Sequence, residues 1–255
     1  MTGSRRGARE TAAGQLGLFG AQEAVVVRRS ARARRLALRV FPHGLVEVVV
    51  PPRTAQRHVD EFVRSQAAWI AEARRQLAGN QPVPGLDPPA GFSLPALGES
   101  WEVRYLAGER RLTERATGGG GRLALAGPAD PDWQRGALRD WLKTRARERL
   151  LPWLEAVSRQ IGLRYSGATV RRQRSRWGSC SADRRISLNC ALLFLDPRLV
   201  RYLFVHELCH TRHLNHSTAF WRLVRRIEPD FQRLEARLTD AWRAVPAWVT
   251  YDPPA

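Results

Sequence analysis

The chain has 255 residues, 44% of them hydrophobic, enough to bury a substantial core in one or two domains. Its 42 basic and 24 acidic residues give a formal net charge of +18, and every basic residue but Lys143 is arginine, so the chain is drawn to polyanions, most strongly at low salt. No run approaches the 18 or more apolar residues of a membrane span, and no long apolar segment follows the N-terminal arginines as a secretory signal requires.

Residues 1–22 read as a flexible tail of Gly, Ala, Arg and small polar residues. Inside it, Gln15, Leu16, Leu18 and Phe19 form a Q-L-x-L-F pentapeptide. It resembles the peptides with which bacterial DNA-processing proteins dock on the sliding clamp, which makes that clamp a candidate partner. Strand patterns follow at 25–27, 36–41 and 46–50, with a Pro-His-Gly turn at 42–44. Thr54 caps a predicted helix that runs to about Leu77, and residues 79–95 read as a Pro- and Gly-rich connection. Further strands are expected at 101–106, 110–113 and 122–126, with a glycine loop at 118–121 that lacks the Lys and Ser/Thr of a phosphate-binding loop.

A helix is predicted over 131–160, its arginines forming either a basic stripe or simply a solvated side. Strands follow near 168–173 and 185–189, then helices near 197–214, 217–227 and 230–243. The three cysteines, Cys180, Cys190 and Cys209, are odd in number and lack a metal-pair spacing, so reduced thiols in a cytoplasmic protein are expected.

The densest signal lies at the start of the C-terminal quarter. His206, Glu207 and His210 spell H-E-x-x-H, and His216 follows six residues after the second histidine. On a helix each residue turns about 100°, so His206 and His210 share one face and can approach one ion at about 2.0–2.1 Å. Glu207 beside them suits a general base that takes a proton from a metal-activated water and returns it to the leaving group. His213 would lie roughly 4.5 Å beyond His210 along a continued helix, on the side away from His206. His216 fits as third ligand if the helix ends near Leu214, with Asn215 in a left-handed turn. A rival set takes a carboxylate instead, from Glu228 or Glu235.

Three motifs taken together identify a family. They are R-S-R-W-G-S-C-S from Arg174 to Ser181, I-S-L-N from Ile186 to Asn189, and H-E-L-C-H followed by N-H-S-x-x-F-W from His206 to Trp221. The combination closely resembles the YgjP-like metallopeptidases, relatives of the SprT and WLM groups of zinc proteases, and the likeness covers roughly residues 24–243. It implies His206, His210 and His216 as Zn2+ ligands, Glu207 as general base, and a protein or peptide substrate. Cys209 stands where the family usually has Ala. It brings either redox sensitivity or a small apolar core residue. Trp177 and Gly178 could wall the cleft, with Arg174 or Arg176 binding an oxyanion or phosphate; equally, Trp177 could be core and the arginines ion-paired. Cys180 has no Cys/His/Asn arrangement that would make it a nucleophile.

The fold implied is α+β. An N-terminal antiparallel β-rich region with a helix (23–128) precedes a zincin-like domain (129–243) carrying the H-E-x-x-H helix, and a short tail (244–255) ends the chain. The expected activity is that of a zinc metallopeptidase, with possible DNA association through the basic surface. Two alternatives stand beside it: a zinc hydrolase of a phosphate or nucleotide substrate, and a basic nucleic-acid or clamp adaptor with a structural zinc.

Overall fold

The computed structural model describes residues 25–30, 33–40, 46–78, 87–173 and 176–250. The chain divides into two compact units, Met1–Pro84 with Asp252–Ala255, and Gly85–Tyr251. The clamp-like pentapeptide, Arg174 and the last five residues lie outside the described residues.

In the first unit, β1 (Val25–Arg29), β2 (Ala37–Val40) and β3 (Val46–Val50) form a sheet in the order β1-β3-β2. Strand β3 is buried along its whole length, as befits the central strand of a valine-rich sheet. The helix expected as one piece is two, α1 (Gln56–Ser65) and α2 (Ala67–Ala78), interrupted at Gln66. Its N–H bonds back to Phe62 and Val63, and the interruption lets Ile70 of α2 join Val59 and Val63 of α1 in one cluster with β3. The sheet is mixed: β2 is antiparallel to β3, but β1 is parallel to it, because the chain passes β3's position to form β2 before returning.

The second unit begins with β4 (Gly91–Leu94), β5 (Glu99–Leu106), β6 (Arg111–Thr117) and β7 (Gly120–Ala126), ordered β4-β5-β7-β6. Here too one pair, β5 with β7, is parallel. Strand β4 lies where the sequence suggests only a connection, its four residues too few to show an alternation. Helix α3 (Pro131–Ile161) runs for 31 residues between an Asp130 cap, whose carboxylate accepts from the Asp132 N–H, and Gly162 in the left-handed region.

The sequence alone groups these strands with the N-terminal region, with a boundary at 128/129. The structure divides the chain at Pro84/Gly85 instead. The cause is a shared core. Trp101 of β5 meets Trp141 of α3 edge to face at 4.8 Å. Buried Glu99 accepts from Arg145 of α3 at 2.7 and 3.1 Å and from the Trp101 indole at 3.1 Å.

A second sheet in this unit contains β8 (Gly167–Arg171), β9 (Gly178–Cys180) and β10 (Arg185–Asn189), ordered β8-β10-β9. Four helices complete it: α4 (Pro197–Cys209), α5 (Thr218–Ile227), α6 (Phe231–Asp240) and α7 (Ala247–Thr250). Helix α4 stops at Cys209, five residues short of the expected end near Leu214. Thr211 explains the stop, since both its N–H and its hydroxyl bond to the Leu208 carbonyl, the acceptor that the Arg212 N–H would need for another turn. Nor is Asn215 left-handed; among the described non-glycine residues only Arg184 has a positive φ. Among the described residues no helix is long and apolar enough to cross a membrane.

Asp196 starts α4. One carboxylate oxygen accepts from the Arg198 N–H at 2.7 Å and the other from Arg237 of α6 at 3.2 Å. The Arg198 N–H foremost, and Arg237 after it, hold this carboxyl below its ordinary range. Its stabilising effect is therefore full above the ordinary Asp pKa and is lost as pH falls through the lower folded value. Asp196→Ala is expected to cost about 1 kcal/mol in urea unfolding at neutral pH, and the difference from wild type should shrink in acid.

Candidate metal centre

Helix α4 buries Leu199, Val200, Tyr202, Leu203, Phe204, Val205, Leu208 and Cys209. Apart from Arg198 and Arg201 in its first turns, the helix is apolar up to its C-terminal end, where its remaining polar side chains lie. There His206 and His210, one turn apart, bring their Nε2 atoms to 3.3 Å. His216 arrives from the loop before α5, its Nε2 3.1 Å from that of His206. The ligand atoms of the three lie within 4.8 Å of one another, the one such grouping of His, Cys, Asp or Glu among the described residues.

The ring nitrogens facing away explain the orientation. His210 Nδ1 lies 2.9 Å from the His213 carbonyl. An Nδ1–H donating there leaves the Nε2 lone pair aimed at the other two rings. His213 thus serves through its backbone while its own ring stays out of the cluster. His206 Nδ1 is buried without a hydrogen bond, 3.8 Å from Glu235 Oε2, which accepts from the Tyr202 hydroxyl at 2.5 Å. Glu235 therefore sits behind His206 and away from the converging Nε2 atoms. Glu228, the other rival carboxylate, pairs with Arg201 at 3.0 Å. Burial first, then its two neighbouring histidines, pushes His206 down to about 3, and burial also lowers His210. Neutral imidazoles with converging lone pairs are the form in which histidine binds a metal.

Sequence reasoning missed the wall behind these rings. Ser217 caps α5 by accepting from the Phe220 N–H at 3.4 Å, and the first turn of α5 then presents two aromatics. Phe220 stacks on His210 at 4.4 Å and Trp221 stacks on His216 at 5.5 Å. The signal was present in the N-H-S-x-x-F-W motif, where a cap residue fixes the offset from histidine to aromatic.

Glu207 is 4% exposed and lies against Gly178 of β9. A Cβ at Gly178 would stand 2.7 Å from Glu207 Oε1 and 3.0 Å from its Cγ and Cδ, so a side chain there would displace the carboxyl. Its Oε2 is buried without a hydrogen-bond partner. Burial pushes the Glu207 carboxyl up to about 8; Arg176 opposes the shift and Glu235 adds to it. A buried carboxyl with one oxygen lacking a hydrogen bond, next in sequence to a histidine of the cluster, is out of place in a merely structural helix.

The segment around Gly178 is held by buried Asn189. Its side-chain amide donates to the carbonyls of Gln173 at 2.7 Å and Arg176 at 2.8 Å, its Oδ1 accepts from the Ala191 N–H, and its own N–H reaches the Trp177 carbonyl. Trp177 is core: it stacks on Trp242 at 4.0 Å and donates its indole N–H to the Leu238 carbonyl. Burial pushes the Cys180 thiol up to about 11 and the Cys209 thiol up to about 12, against any thiolate role at neutral pH. Cys209 is fully buried and fills the core.

Over residues 34–241 the chain matches the family model described as YgjP-like, metallopeptidase domain. Among solved structures it is similar to the metallopeptidase zymogen of Pyrococcus abyssi abylysin, with 25% identity and a TM-score of 0.33 over 36% of this chain and 92% of that one. It is also similar to the zymogen of Methanocaldococcus jannaschii jannalysin, with 17% identity and a TM-score of 0.32 over 36% and 94%. No curated protein matches the chain. The family match spans both compact units and every residue of the histidine cluster, and the chain belongs to the YgjP-like metallopeptidase family.

Proposed function

We propose that the chain is a zinc-dependent peptidase in which His206, His210 and His216 hold the ion and Glu207 is the general base. The observation that carries this reading is the convergence of three Nε2 atoms next to the buried Glu207 carboxyl, whose Oε2 has no hydrogen bond. Three imidazoles would suit zinc, and no fourth His, Cys, Asp or Glu joins them among the described residues, as expected of a catalytic rather than a structural site. Bound there, zinc would supply Lewis acidity toward a peptide carbonyl.

The rest of the chemistry falls to the chain's own side chains. In its ionised form Glu207, made a stronger base by burial, can take a proton from the attacking water and give it to the departing amine. Gly178 leaves the carboxyl room to lie at the edge of β9. Glu235, with Tyr202 behind it, faces His206 Nδ1 and is placed to steady that ring. Phe220 and Trp221 limit how the other two rings can turn.

The clamp-like pentapeptide is proposed as a second contact, to a bacterial sliding clamp, on its residue pattern alone.

Glu207→Gln should retain zinc by metal analysis and lose about 10²-fold or more in peptide turnover. Full activity in that variant would remove Glu207 as base. His216→Ala is expected to lower zinc affinity in a chelator competition. Gly178→Ala should keep zinc while turnover falls by about tenfold or more, because the new methyl occupies the place of the carboxyl; unchanged turnover would show that this contact does no positioning. Replacing Leu18 and Phe19 by Ala should abolish capture of the full chain by immobilised clamp, and a wild type that does not bind ends that proposal.

A further inference from the structure

Away from the histidine cluster, a groove of about 680 Å³ runs between α3 and β8. Of its ten lining residues five are cations, Arg139, Lys143, Arg147, Arg171 and Arg172, and one is a carboxylate, Asp140. The whole chain has 42 basic residues in 255, so an arginine-rich composition alone does not account for half the lining. Arg139, Lys143 and Arg147 recur every fourth residue along one face of α3, in steps of about 6 Å. Arg139 is fixed by donating to the Trp248 carbonyl at 2.6 Å, and Arg172 by donating to that of Val249 at 3.3 Å. Lys143, Arg147 and Arg171 make no ion pair among the described residues. Like charges held together without partners repel one another and favour a bound anion.

We propose that this groove binds the phosphate backbone of a nucleic-acid strand. A regular row of cations suits a polymer with one charge on each unit, and arginine forks pair bidentately with phosphate. No aromatic side chain lines the groove, so it offers backbone contacts and no stacking of bases. The opposite wall is β8, an edge strand, whereas Glu207 lies against β9 on the other edge of the same three-stranded sheet. Two strand spacings, about 10 Å, separate those edges. Nothing in this assignment depends on zinc or on Glu207.

Because Lys143 is the chain's single lysine, amine acetylation read by mass spectrometry reports on this groove in the unaltered protein. A single-stranded 20-mer at low salt should slow Lys143 acetylation by about fivefold or more, with protection lost as salt rises. In anisotropy titrations, Lys143→Gln, Arg147→Gln and Arg171→Gln combined should weaken oligonucleotide binding by about tenfold and reduce the salt slope by about 2. Removing the same charge at exposed Arg110, Arg111 and Arg115 should change affinity by less than about threefold. Equal weakening by both triple variants would show diffuse charge attraction and overturn the assignment. So would an unprotected Lys143 at saturating oligonucleotide. Protection by polyglutamate as strong as by the oligonucleotide would mark the groove as one for acidic polypeptides instead.

Discussion

Apolar neighbours wrap helix α4 on most of its circumference, yet its last turn must hold two imidazoles and a carboxyl. Burying a polar group without a partner costs roughly 2–7 kcal/mol, and burying a charge costs more. That cost sets the state of each side chain. The imidazoles remain neutral, with His210 donating to the His213 carbonyl. Glu207 is drawn toward its protonated form. A cation between the three Nε2 atoms would satisfy lone pairs that otherwise face one another at 3.1–3.3 Å. The electrostatics of the buried helix end therefore call for the metal that the family implies.

The surrounding architecture serves that helix end. Asp196 fixes where α4 begins, and Thr211 takes the carbonyl that would otherwise extend it. The early stop brings His216 round from a loop, where the cap of α5 sets Phe220 and Trp221 against two of the rings. On the other side Asn189 holds the carbonyls of Gln173 and Arg176 before β9, where Gly178 meets Glu207. The tryptophan of the same motif acts one step removed, anchoring that strand to α6 and the turn after it through the Leu238 carbonyl and Trp242.

Helical spacing made His206, Glu207 and His210 legible in the sequence, and the six-residue offset pointed to His216. The route by which His216 arrives was not legible, because a threonine hydroxyl competing for one carbonyl leaves no periodic trace. Strands β4 and β9 were hidden for a related reason: four and three residues cannot show an alternation. The placing of 91–126 with the N-terminal region failed on a contact between distant residues, the ion pair of Glu99 with Arg145. Sequence pattern fits Trp177 equally to a cleft wall or to the core, and only the long-range partner of its indole makes it core. The α+β class was readable from the order of patterns; the parallel pair in each of the three sheets was not, since pattern carries no direction.

X-ray absorption at the zinc edge of the stoichiometrically loaded protein would test for a three-imidazole metal site at the end of the buried helix. Three imidazole nitrogens are expected at about 2.0–2.1 Å, with oxygen or nitrogen completing the shell. In His216→Ala one imidazole should be lost. A sulfur shell, which would bring Cys209 or Cys180 to the metal, or only two imidazoles in the wild type, would contradict that site.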